Sequence, residues 1–132
     1  MKKLFRLSFF YLWLGLILGI FYREFTKMHN FTGNTVLGTA HTHTLVLGFI
    51  FLLVVLLLDK NFDLSSYKNF NKWLISYNLG VIALITTIVL RGVFDILSID
   101  FAGLPHIAGL AHAILGASLI WFMIILKKKI FK

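Results

Sequence analysis

The chain has 132 residues, 59% of them hydrophobic and 14% charged, with 14 Phe, 10 Gly, one Pro and no Cys. Soluble domains are nearer half apolar and a quarter charged, and a mean hydropathy of +0.90 leaves little for a solvated surface. An ordinary soluble domain, a disordered chain and a disulfide scaffold are excluded, as are thiolate iron–sulfur ligation, CxxCH haem attachment and a cysteine nucleophile. The net charge of +8 does not mark a nucleic-acid binder. The charges fall at the ends of apolar runs, where they orient a chain in a bilayer.

Spanning a bilayer takes about 20 apolar residues. Four segments qualify, at residues 4–22, 36–58, 73–97 and 104–126. The runs are continuous and too long for barrel strands, so each reads as a helix. Lys2 and Lys3 precede the first run as they would precede a signal peptide. No small-x-small site follows before Tyr22-Arg23-Glu24, so a retained helix is expected. The links at residues 23–35, 59–72 and 98–103 are short and polar, and Pro105 suits the first turn of the last helix. Short links force antiparallel neighbours. The expected fold is therefore all-α, a single transmembrane domain over residues 1–132 built as an up-down four-helix bundle.

Charge sets the expected orientation. Lys2, Lys3, Arg6, Lys60, Lys68, Lys72, Lys127, Lys128, Lys129 and Lys132 share one side, against Arg23 and Lys27 on the other. Ten against two places both termini in the cytoplasm, with the basic ends in contact with membrane lipid.

The polar residues inside the spans are distributed unevenly. At about 1.5 Å per residue, His41 lies about 7 Å below the outer face, His43 about 10 Å, Arg91 about 9 Å and His112 about 12 Å. Asp95 and His106 lie about 3 Å deep. The inner half is expected to be nearly all aliphatic and aromatic. Ionisable groups buried in lipid are costly and point to function.

His41-Thr42-His43 places two imidazoles about 200° apart on a helix. They suit two different partners: two centres, or one centre and a neighbouring helix or subunit. Gly48, seven after His41, would let a flat ligand approach. His112 sits among Gly109, Ala111, Ala113, Gly116 and Ala117, which offer either close helix packing or a slot for a planar macrocycle. Arg91 precedes Asp95 by four, the spacing of a same-face ion pair. Alternatively Arg91 or Arg23 binds a carboxylate such as a haem propionate, and Glu24 neutralises Arg23. His29 and His106 read as loop and edge residues. Gly15-x-x-x-Gly19 is a packing face. No phosphate-binding loop, dinucleotide fingerprint, zincin motif or hydrolase triad is present.

Two resemblances attach to these residues. Tyr22-Arg23-Glu24-Phe25, Asn30-Phe31-Thr32-Gly33, Thr39-Ala40-His41-Thr42-His43 with Gly48, and Gly109-Leu110-Ala111-His112 resemble the small bacterial four-helix membrane proteins grouped as domain of unknown function 2871. More distantly, His41-x-His43 followed by an apolar run with Gly48 is similar to the haem-ligand helix of the haem–copper oxidase catalytic subunit. That resemblance implies one four-helix arc of a twelve-helix ring, which a homotrimer would restore. The paired histidines of the oxidase copper centre and its Tyr–His crosslink site are absent.

These readings converge on a b-type haem protein for electron transfer or for redox or gas sensing. His41, His43 and His112 are the candidate ligands, with Arg91, Arg23, Gly48 and Gly109 beside the cofactor. A haem-free copper or zinc site is the first alternative, and a proton or anion transport module or a structural helper subunit the next. No residue marks catalysis as such. Self-association is expected through Gly15, Gly19 and the small-residue face of the last helix, because His41 and His43 cannot both face one site. The charge count makes a direct prediction: reporters fused after the last helix read out on the cytoplasmic side, and an external readout refutes the orientation.

Overall fold

The computed structural model describes residues 1–131. Lys132, one of the ten charges assigned to the inner side, lies outside them. Four helices account for nearly all of the fold: α1 (Lys2–Met28), α2 (Leu37–Phe62), α3 (Phe70–Leu97) and α4 (Leu104–Ile130). Each is long and apolar enough to cross a bilayer, with a mean window hydropathy of 1.9 to 2.3. The chain is a multi-pass membrane protein of four antiparallel helices.

The helices overrun the apolar segments read from sequence. α1 continues through Arg23–Met28 because its backbone groups stay paired within the helix, and Thr26 Oγ1 adds a bond to Tyr22 O at 2.8 Å. The ends are set by left-handed residues: Asn30, Asp63 and Ser98 have φ of 48°, 49° and 55°. Asn and Asp tolerate this conformation because their side chains bond locally. Asp63 and Ser98 terminate α2 and α3, and a single 3-10 turn at Leu64–Ser66 bridges to α3. Pro105 falls in the first turn of α4 as expected.

α2 and α3 form the central pair. α1 packs along α2, and α4 packs along α3. At the end away from the termini, Gly92 lets the two central helices nearly touch: a Cβ there would sit 2.5 Å from Leu37 N. Thr35 Oγ1 ties the same point by donating to Gly92 O at 2.9 Å and accepting from Leu37 N–H at 3.2 Å. Gly80 likewise admits the backbone of Leu115, 3.0 Å from its ideal Cβ. Toward the termini, aromatic rings fill the space between helices. Trp73 stacks with Tyr77 at 5.6 Å and meets Phe122 at 4.9 Å, and Phe51 lies 4.8 Å from Tyr77.

That half is less apolar than expected. Four side-chain hydrogen bonds cross between helices there. Tyr11 Oη donates to Asn78 Oδ1 at 2.8 Å and Tyr77 Oη to Leu47 O at 2.8 Å. Trp73 Nε1–H donates to Ser118 O at 2.8 Å, and the Ser76 and Ser118 hydroxyls pair at 2.9 Å. Isolated Asn78, Ser76 and Ser118 leave the mean hydropathy of their spans high, so a window average does not reveal these bonds.

Glycine contacts yield the second prediction. Gly92→Val forces α2 and α3 apart and costs about 1–3 kcal/mol, the range for overpacking. Gly116→Ala meets nothing within 4 Å and keeps or raises stability, by up to about 1 kcal/mol from helix propensity. Thermal unfolding in mild detergent separates the two; equal melting points would refute the close contact at Gly92.

Candidate functional site

The second helix contains an irregularity that periodicity does not reveal. Immediately after His43, residues Thr44–Ile50 form a π-helical stretch. Wide turns of this kind misplace backbone carbonyls and occur often at functional sites. Here Leu47 O, inside the stretch, accepts the Tyr77 hydroxyl, and Thr44 Oγ1 bonds Ala40 O at 2.7 Å.

His41 and His43 do face different neighbours. His41 turns toward α1, where its ring packs 3.8 Å from the ideal Cβ of Gly19. Leu45, one turn on, covers Gly15. The Gly15-x-x-x-Gly19 stripe is thus used inside the chain, against α2. It does not remain free as the self-association surface expected from sequence. His41 Nε2 lies 3.4 Å from Thr42 Oγ1, and its buried Nδ1 has no hydrogen-bond partner.

Gly48 is also accounted for differently. A Cβ there would fall 2.3 Å from the Tyr11 ring, so the space opened by this glycine holds Tyr11 from α1. No room for a flat ligand remains beside it.

His43 points the other way. It lines a cleft of about 380 Å³ with Thr42, Val46 and Leu47 of α2, Leu84 of α3, and His112 and Leu115 of α4. The cleft lies between α2 and α4, with α3 as its floor. Two of the imidazoles that sequence placed at matching depth therefore meet across one gap. Gly109 and Gly116, either side of His112, meet nothing within 4 Å, so the α4 wall is open around that ring.

The two rings share an orientation. His43 Nδ1 bonds Thr39 O at 2.9 Å, and His112 Nδ1 bonds Ala108 O at 2.8 Å. A carbonyl accepts only, so Nδ1 carries the proton in both, and Nε2 is left as a lone-pair donor. Such a bond from the non-ligating nitrogen is what fixes a metal-binding imidazole. His29 makes the same bond, to Phe25 O at 2.9 Å, at an exposed helix end. The bond alone is a common helical arrangement; the pairing across a cleft is what distinguishes His43 and His112.

The remaining candidates separate. Arg91 is exposed and has no ion-pair partner among the described residues. Asp95 does not pair with it. Its Oδ2 instead accepts the Val36 N–H at 3.4 Å, at the start of α2. Seven residues place Arg91 on the same face of α3 as Leu84, about 10 Å further from the termini. Arg23 lies 3.5 Å from Glu24 on α1, a helix that does not line the cleft. Its expected role beside the cofactor is not supported by that placement. His106 is exposed at the mouth of α4. No group of three His, Asp or Glu side chains that could hold a metal converges among the described residues.

The family comparison agrees with this architecture. A model described as protein of unknown function (DUF2871) matches residues 1–129. The chain belongs to this family. No curated protein and no solved structure matches it. The match spans all four helices, so the α2–α4 cleft lies wholly within the family's extent.

Proposed function

We propose that this DUF2871 member binds haem b in the α2–α4 cleft and serves in electron transfer or in redox or gas sensing. The observation that carries the reading is the pair His43 and His112. They stand on two helices, share one apolar cleft, and in the neutral ring each leaves the Nε2 lone pair free because Nδ1–H is committed to a carbonyl.

The residues fit the group. His43 and His112 would hold it through their imidazoles. Thr39 O and Ala108 O hold the two imidazoles in the ligating tautomer. Val46, Leu47, Leu84 and Leu115 give the cleft an apolar lining beside the two rings. Gly109 and Gly116 leave flat space beside His112. Arg91, unpaired and about 10 Å outward along α3, offers a cation to a carboxylate. Haem b held this way would supply a one-electron iron couple inside the bilayer. Were both His43 and His112 to hold the group, the chemistry it would supply there is one-electron transfer more than gas binding.

The copper or zinc alternative is weaker on the same geometry. Structural zinc takes four protein ligands and catalytic zinc three. The cleft offers two imidazoles, and no third acidic or imidazole group joins them. His41 is a poorer ligand than His43, because α1 covers it.

Protein purified from haem-replete cells tests the reading. A Soret band of a six-coordinate low-spin haem is expected, lost in His43→Ala and in His112→Ala and retained in His41→Ala. Helix content by circular dichroism stays unchanged in all three. Protein without a Soret band but with stoichiometric copper or zinc would overturn it, as would a spectrum that survives His112→Ala.

A further inference from the structure

The end of the bundle that carries the termini holds a second groove, unrelated to the histidines. α1 and α2 separate there to leave about 640 Å³. Its wall is apolar: Phe5, Leu56 and Leu57. Its rim is cationic: Lys2, Arg6 and Lys60. Phe5 and Leu57 are 57% and 60% exposed, so this wall is covered by nothing in the chain.

The cations at this end fall into two groups. Lys3 reaches Asn71 Oδ1 at 3.5 Å, Lys128 reaches the Tyr67 hydroxyl, and Lys129 contacts Ser66 Oγ and Asp63. Lys2, Arg6 and Lys60 have no protein partner among the described residues. The carboxylate next to Lys60 is turned away from them. Asp59 is 4% exposed; its Oδ1 accepts the Ser65 N–H at 2.6 Å, and its Oδ2 lies 3.5 Å from the Met1 amino nitrogen. Three uncompensated positive charges therefore border an apolar trough at the depth where a membrane changes from headgroup to chain.

We propose that this groove is a specific site for an anionic glycerophospholipid. Its phosphate lies among Lys2, Arg6 and Lys60, and an acyl chain lies on Phe5, Leu56 and Leu57. Net negative headgroups are selected because a zwitterion brings its own cation to a rim that has no spare acid. The groove is formed by α1 and α2 and does not include the run Lys127, Lys128 and Lys129 of α4, so it differs from a diffuse basic surface. Basic pockets between membrane helices bind anionic headgroups in this way, each cation near the surface contributing about five-fold in affinity.

Detergent-purified protein is titrated with phosphatidylglycerol, phosphatidylcholine or inorganic phosphate, and bound lipid is counted by native mass spectrometry alongside the melting temperature. Phosphatidylglycerol should be retained and stabilising, and the other two should not. R6Q/K60Q should weaken retention about thirty-fold, the product of two such contributions, while K127Q leaves it unchanged. Leu57→Trp fills the trough with every charge kept, and should also abolish retention; it decides the matter should R6Q/K60Q fail to fold. Equal loss in K127Q, equal binding of phosphatidylcholine, stabilisation by phosphate alone, or undiminished retention in Leu57→Trp would overturn the proposal.

Discussion

The distance between α2 and α3 governs this structure. Lipid tails are as apolar as leucine, so helices in a bilayer gain little from burying aliphatic surface against each other; close packing and hydrogen bonds decide how they associate. Gly92 brings the two central helices into contact at one end, and Thr35 bonds them there. At the other, Phe51 of α2 lies against Tyr77 of α3. α1 and α4 lie on the outer flanks of this pair. The α2–α4 cleft has α3 as its floor, and Gly80 seats α4 against α3.

The four interhelical side-chain bonds have a different role from the packing. At about 0.6 kcal/mol each, they contribute about 2 kcal/mol in sum, little beside the packing of four whole spans. Their value is directional. Tyr77 can reach Leu47 O only in one rotation of α2 about its axis, and Trp73 can reach Ser118 O only in one register of α4. Rotation of α2 is what separates His41 from His43. The aromatic half of the bundle thus fixes which imidazole enters the cleft in the other half. Hydrogen bonds that add little stability still select the site.

The sequence made the spans legible because twenty apolar residues in lipid have almost no alternative to a helix. It also made the depth of His43 and His112 legible, since depth follows from rise per residue. Rotation was not legible. His41 and His43 are two residues apart, and hydropathy around α2 is nearly uniform, so nothing in the pattern says which faces α3 and α4. The α1 glycines fit the same rotation that the Tyr77 bond selects: Gly15 and Gly19 receive Leu45 and His41, but a glycine stripe reads the same whether its partner is inside the chain or outside. Arg91 and Asp95 show the complementary failure. Their four-residue spacing is favourable locally, yet the Val36 amide at a helix start takes the carboxylate. The π-helical stretch had no local signal either, because it arises from Tyr11 packing on Gly48 and Tyr77 bonding Leu47 O.

Any self-association would rest on a different surface from the one the sequence suggests. No neighbouring subunit is needed to cover His41, because α1 already does. Gly15 and Gly19 are engaged as well. The small-residue surface still open is the α4 face of Gly109 and Gly116, which borders His112 and the cleft. A copy seated on that face would close the open side of the cleft and shield His112 from lipid, where an ionisable side chain is most costly. A ligand in the cleft and a second copy would then act on one surface. Whatever binds the assembled form more tightly must, by mass action, favour assembly, so loading of the cleft and self-association would be linked through α4 and not through the glycine stripe of α1.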